Sequence, residues 1–464
     1  MPTSATPSLP ERKASIWYLY LITLVAAVGG FQFGYDLGLM SGGIVFLKAE
    51  WSLSPVLVGV VMGSLSLGCP FGPLVGAGLA DTLGRNKALI VAAILFIASA
   101  LGCALVNGIW QFSFWRFVGG VGVGLASTIS PMYIAEVSPA HLRGRMVVIN
   151  QLAIVFGILL AIIVAYFLSF GGHWRWMFAT MALPAAIFLF GLFFLPRSPR
   201  WLATRGNYAE ALEVLARING HAEGERVLAE IRQELGQESG GFRELFAPGV
   251  RLAVMIGITL MVFSQINGVN MILSYAPTIF MEAGITNASQ AILNAVYLKS
   301  WMTLCTIAAF WLTARFGRRP ILIFGTMAMA AGHVLMFLRF TFALPPLVTL
   351  AGMFLAVGAF TLTLAPLSWV ILSEIFPNRV RNKAMSLATM LMFSSYYITT
   401  NGFPIVLDQF KRSFGNPGGT FLIFMGICLA CSAFVWRMLP ETKDKTLEEI
   451  GSHWLHLDKR NRNL

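Results

Sequence analysis

Three ionisable residues stand in stretches otherwise fit only for lipid: Asp36 in GGFQFGYDLG, Arg116 in FWRFVGGVGVG and Lys299 in NAVYLKSWM. From Ala14 to Leu47, Asp36 is the only Asp, Glu, Lys, Arg or His. Charges are costly in a membrane interior and mark proton paths, ion paths or solute contacts. Counted along helices, Asp36 lies ~18 Å from Lys48 and Arg116 ~13 Å from Asn107, depths similar enough for the two to pair. The pair reads in two ways. It is a static brace between helices, or a proton switch, because burial and a neighbouring guanidinium pull a carboxyl's proton affinity in opposite directions. Lys299 lies ~24 Å from Arg315; it either snorkels toward headgroups or supplies a counter-charge for an acidic solute.

Other reactive chemistry finds little support. His173 and His333 have no partner at metal-ligand spacing, no nucleophile and base stand together, and no metal or enzymatic role is assigned. Cys69, Cys103, Cys305, Cys428 and Cys431 all fall in apolar runs and read as packing residues rather than a disulfide framework. RFVGGVGVG mimics a dinucleotide loop but follows no strand, so its glycines are expected to let helices approach closely.

The elements that must hold these residues are membrane helices. Of 464 residues, 57% are hydrophobic and only 12% charged, the composition of a polytopic all-α membrane protein. About twelve apolar runs are expected as spans, near residues 17–44, 54–80, 87–106, 110–135, 146–169, 175–195, 251–280, 290–314, 320–340, 346–373, 384–408 and 420–439. The first run is too long for a cleavable signal peptide and lacks a small-residue cleavage site. A net charge of +12 suggests nucleic acid, but most Lys and Arg fall on one side if both termini are cytoplasmic. The basicity therefore sets topology, and no nucleic-acid partner is expected.

The chain also repeats itself. GLADTLGRNK at 78–87 is answered by WLTARFGRRP at 311–320, EVSPAHLRGR at 136–145 by EIFPNRVRNK at 374–383, and LPRSPR at 195–200 by LPETKD at 439–444. A period of about 240 residues implies two six-helix bundles around a shared cavity, the architecture of the major facilitator fold. The expected division is 1–196, a cytoplasmic helical linker 197–248, a second bundle 249–440 and a tail 441–464. Within the linker, Leu212, Leu215 and Ile218, then Val227, Leu228 and Ile231, recur at the spacing of short amphipathic helices. Asp81, Arg85, Glu136 and Arg143 in the first half, and Arg318, Glu374 and Arg381 in the second, gather at one face. They are expected to pair across the bundles as a cytoplasmic gate.

GYD, DTLGR, PMYIAEVSPAHLRGR, PRSPRW, QINGVN, RFGRRP, WVILSEIFPNRVR and PETKDKTLEE, in that order over residues 30–450, resemble the sugar porter family of the major facilitator superfamily. The resemblance implies alternating-access transport of a monosaccharide, polyol or sugar derivative, with no cofactor and no obligate protein partner, in the cell membrane. Proton-coupled members carry Asp at the GYD position and passive ones tend to carry Asn, which favours the switch reading of Asp36 with Arg116. Gln151, Gln265, Asn270 and Trp369 match sugar-contacting positions, where amides serve hydroxyls and an indole face packs on a pyranose. Tyr275 and Lys299 are secondary candidates. Several positions depart from the family pattern: Ile158, Ser264, Ser274, Ala365 and Tyr396 around the pocket, and Met181 and Ala314, where relatives carry acids. Passive uniport, carriage of a sugar acid or other small organic acid, and a non-transporting sensor are the alternatives. The sensor is disfavoured for want of a long signalling extension.

Overall fold

In a computed structural model, residues 16–235, 242–247, 250–376 and 380–441 are described, and these carry helices and no strand. The first bundle is α1 (Ile16–Glu50), α2 (Pro55–Thr82), α3 (Arg85–Leu105), α4 (Ile109–Val137), α5 (Ala140–Ser169) and α6 (Trp174–Leu192). The second is α7 (Val250–Ser274), α8 (Ala288–Arg315), α9 (Arg318–Thr341), α10 (Pro346–Leu372), α11 (Arg381–Phe414) and α12 (Gly419–Met438). Eleven of these are long and apolar enough to cross a membrane. The exception, α11, has ample length at 34 residues but is rich in hydroxyls. Ser394, Ser395 and Thr399 donate theirs to carbonyls one turn back, so the helix carries them without unmet donors.

Glycine spacing brings the helices together. Gly30, Gly34, Gly38 and Gly42 recur every fourth residue on one side of α1, and that side lies against α5. A Cβ at Gly38 would stand 2.6 Å from the Ile158 carbonyl oxygen, and one at Gly34 would overlap that of Ile154. On α4, Gly120 and Gly124 meet the Leu65 and Cys69 carbonyls of α2 in the same way. Close packing, rather than ligand binding, is thus the role of the RFVGGVGVG run.

The linker forms three short helices, Pro199–Thr204, Tyr208–Asn219 and His221–Leu235, around a small core of Leu202, Ala203, Ala211, Leu215 and Leu228. Asn207 caps the second of these by accepting from Glu210 N, and Arg217 lies over the Tyr18 ring, fastening the linker to α1.

Several spans break in mid-course. α2 bends at Cys69–Pro70 and α6 at Met181. α7 opens at Asn267–Gly268, where Gly268 takes φ +87°, then resumes and continues as Ala276–Glu282. α10 opens at Thr363, three residues before Pro366. Breaks of this kind expose polar backbone where it can line a cavity.

Contacts between the bundles concentrate away from the linker. Ser169 Oγ donates to Ser289 Oγ at 2.8 Å between α5 and α8, and Ser41 Oγ to the Leu273 carbonyl at 3.2 Å between α1 and α7. Gly59 of α2 lies directly against the Asn401 backbone of α11. That side is closed.

Candidate functional site: a buried ion pair beside an amide-lined cleft

Arg116 Nη1 donates to Asp36 Oδ1, joining α4 to α1. Both residues are enclosed, at 1% and 3% exposure, and Arg116 Nε has no acceptor. Among the described residues this single carboxylate is the only counter-charge in hydrogen-bonding contact with the guanidinium. Gln32, one turn before Asp36, donates to the Met181 carbonyl at 3.1 Å, and Tyr35 donates to Thr180 Oγ1 at 3.1 Å. These bonds set the bend of α6 beside the pair. The side chain offered there is the buried, apolar Met181, so no second acid stands at this position.

Tyr396 of α11 lies within electrostatic reach of Arg116, and its hydroxyl meets Ser274 Oγ of α7 at 3.1 Å. Tyr396 thus brings the wall of the second bundle within electrostatic range of the ion pair.

That wall is built at the α7 break. Asn270 Nδ2 donates to Gln265 Oε1 at 2.9 Å, and Gln265 Nε2 to Ser264 Oγ at 3.0 Å. The two amides are thus held together across the interruption and remain partly exposed. Gln151 on α5 is exposed, and Trp369, on the second segment of α10, is 39% exposed. Tyr275 differs from expectation. It is 1% exposed, donates to the Thr400 carbonyl at 2.8 Å and packs on Phe403, so it braces α7 against α11 instead of facing the cleft.

His333, to which the sequence reading gives no role, holds the break. Asn267 closes the turn by donating to the Phe263 and Ser264 carbonyls and accepting from Val269 N. Its own carbonyl, freed from the helix ladder, receives His333 Nε2 at 2.9 Å and Cys428 Sγ at 3.6 Å. Nothing in local sequence signals a contact between positions 66 residues apart.

Lys299 does not snorkel: its side chain is enclosed at 1% exposure, and its ammonium has no hydrogen-bond or ion-pair partner among the described residues. At the linker face Arg85 and Arg318 each pair with the Glu of their own bundle. Arg85 grips Glu136 through Nε and Nη2 at 3.0–3.2 Å, and Glu136 also accepts from Ser198. Asp81, 77% exposed at its side chain, is a weaker partner at 3.4 Å. Arg318 Nη2 bonds Glu374 at 3.1 Å in the second bundle, and Glu441 accepts from the Arg318 and Arg319 amides at the start of α9. The physical reason is local. Each Arg begins a helix immediately after a Gly turn, which brings it to the end of the helix carrying its bundle's Glu. Arg143 donates to the Ala135 carbonyl; the side chains of Arg381 and Ala314 lie outside the described residues.

Comparison with known proteins gives a consistent picture. The family model described as "Sugar (and other) transporter" matches residues 22–454. The D-xylose-proton symporter of Escherichia coli K12 is 35% identical over 474 residues, covering 94% of this chain and 96% of its own. The arabinose-proton symporter of Bacillus subtilis 168 is 35% identical, covering 98% and 99%. Among solved structures, the partially occluded inward-open form of the E. coli xylose transporter XylE superposes with a TM-score of 0.82 at 34% identity, over 93% of this chain and all of that one. XylE bound to 6-bromo-6-deoxy-D-glucose gives 0.78 at 34% identity, over 94% and 99%.

Proposed function

The chain belongs to the Sugar (and other) transporter family, and we propose that it is a proton-coupled symporter of a monosaccharide, related polyol or sugar derivative, working by alternating access. The observation that carries this reading is the buried Asp36–Arg116 pair, an acid kept at membrane depth with one partner and adjoining the cleft through Tyr396. Gln265, Asn270 and Trp369 on one bundle and Gln151 on the other would hold the solute. Amides and an indole suit hydroxyls and a ring face, and need no cofactor.

The coupling follows from the fixed partners of Arg116. When the bundles rock and the closed side opens, the geometry around Tyr396 changes, the pair parts, and Asp36 takes a proton from outside. Solute arrival draws the bundles together. On opening toward the linker face, which the positive-inside bias makes cytoplasmic, Arg116 recovers the carboxylate and the proton leaves. The intra-bundle pairs Arg85–Glu136 and Arg318–Glu374 keep each bundle rigid as it moves. In this reading the protein sits in the cell membrane with both termini cytoplasmic, and it needs no protein partner.

A second reading, passive uniport, draws on one observation: Met181 puts an apolar side chain where coupled relatives carry an acid, leaving Asp36 to switch alone. One experiment separates the two. Purified protein in proteoliposomes is offered pentoses, hexoses and polyols, with counterflow and external pH recorded together. Symport predicts alkalinisation on sugar addition. Counterflow without proton movement establishes uniport, and no counterflow with any solute defeats the transport reading.

A further inference from the structure

Lys299 is the one intramembrane charge that the proposed cycle leaves unused. Its environment can be accounted for helix by helix. α8 packs against α5, α10 and the Ala276–Glu282 extension of α7. α5 contains no acid. The extension offers only Glu282, taken by Lys411 Nζ at 2.7 Å; α10 contains no acid, and Glu374, two residues beyond its end, is taken by Arg318. Asp36 is committed to Arg116. Nearby hydroxyls are turned inward: Thr303 donates to the Lys299 carbonyl at 2.9 Å and Thr306 to that of Met302 at 2.8 Å. An ammonium enclosed in this way must shed its proton or meet an anion.

Depth places it beside the solute site. Lys299 lies ~16 Å along α8 from its start, and Asn270 lies ~18 Å from the end of the α7 extension, the two ends being joined by a short loop. The candidate solute amide and the lysine therefore stand at nearly one level, on neighbouring helices. α8 also borders the closed side, where Ser289 meets Ser169 of α5. Opening that side parts α8 from its neighbour α5.

We propose that Lys299 is a carboxylate-binding residue of the solute site, and that the cargo it selects is a sugar acid: a polyhydroxylated monosaccharide bearing one carboxylate. This rests on the transport reading above and narrows its substrate class. Closing the outer side over a charged, unmatched ammonium is unfavourable, so a solute carboxylate that neutralises Lys299 favours occlusion. A neutral sugar of the same size gives no such compensation.

The test uses the full-length protein in proteoliposomes, with D-glucuronate and D-gluconate as acidic probes and D-glucose and D-xylose as neutral ones. The expected result is counterflow of at least one acid, with its half-saturating concentration raised tenfold or more in Lys299→Gln relative to any change for the neutral sugars. Lys299→Arg should retain the preference for acid. Equal losses for acids and neutral sugars in Lys299→Gln would mark a packing residue and overturn the proposal. Robust neutral-sugar counterflow with no binding of either acid would also overturn it while leaving sugar transport standing. Absence of counterflow with all four probes would instead be failure of the underlying transport reading.

Discussion

Replacing Asp36 with Asn tests the coupling directly. The substitution keeps an oxygen to accept from Arg116 Nη1 but removes the only carboxylate bonded to a guanidinium that is 1% exposed and already short of an acceptor at Nε. Breaking a buried pair by deleting one partner costs about 3–5 kcal/mol, and the retained hydrogen bond places this variant at the lower end. Against a typical stability of about 5–15 kcal/mol, the variant should fold with reduced yield, and Asp36→Asn with Arg116→Gln should recover part of the loss. The effect on transport is larger. One proton moving with a neutral probe sugar across 100 mV supplies about 2.3 kcal/mol, and at about 1.4 kcal/mol per tenfold this sustains roughly 45-fold accumulation, whereas a proton moving with a singly charged sugar acid carries no net charge and draws on the pH gradient instead. Asp36→Asn should reduce that ratio to unity while counterflow, which needs no net proton transfer, persists. The assay is radiolabelled sugar uptake under an imposed potential, beside counterflow in the same vesicles. Accumulation above tenfold in the variant, abolished by a protonophore, would refute a coupling role for this carboxylate.

Three further outcomes follow from the same geometry. Glu136→Gln removes the charge gripped by Arg85 and shared with Ser198, worth about 1.5–3 kcal/mol for a hydrogen bond to a charged group; counterflow should slow tenfold or more. Asp81→Asn, at a largely exposed side chain 3.4 Å from Arg85, should change it less than about twofold, and equal effects would count against the intra-bundle clamp. His333→Leu leaves the Asn267 carbonyl at the α7 break with only the weak Cys428 thiol as donor, a loss of about 1–3 kcal/mol, so thermal stability in detergent should fall by several degrees and sugar affinity with it. An unchanged affinity would remove His333 from the support of Gln265 and Asn270.

Much was legible in the sequence because membrane solvation leaves few alternatives. Apolar runs in lipid must become helices to satisfy their backbone, so the spans, the two-bundle architecture and the linker helices follow from composition and period alone. α11 was visible as an apolar run near 384–408 although its hydroxyls lower its hydropathy. Asp36 and Arg116 could be matched by depth, since Asp36 was the only acid at the level of Arg116. The glycines of RFVGGVGVG were likewise readable as a packing signal.

What only the tertiary structure decided are contacts made through space between helices. Sequence placed Arg85, Glu136, Arg318 and Glu374 at one face, but only the packing assigned each Arg to the Glu of its own bundle. Tyr275 resembled a pocket residue until its hydroxyl met the Thr400 carbonyl, and Lys299 resembled a snorkelling one until its side chain was found enclosed. His333 became intelligible only beside the break it supports. The sequence by itself determined where helices run and how deep each charge lies, because those depend on local apolarity and a fixed rise per residue. Which way a side chain faces, and which partner it finds there, depends on rotation and approach of helices distant in the chain, and that only the folded packing determines.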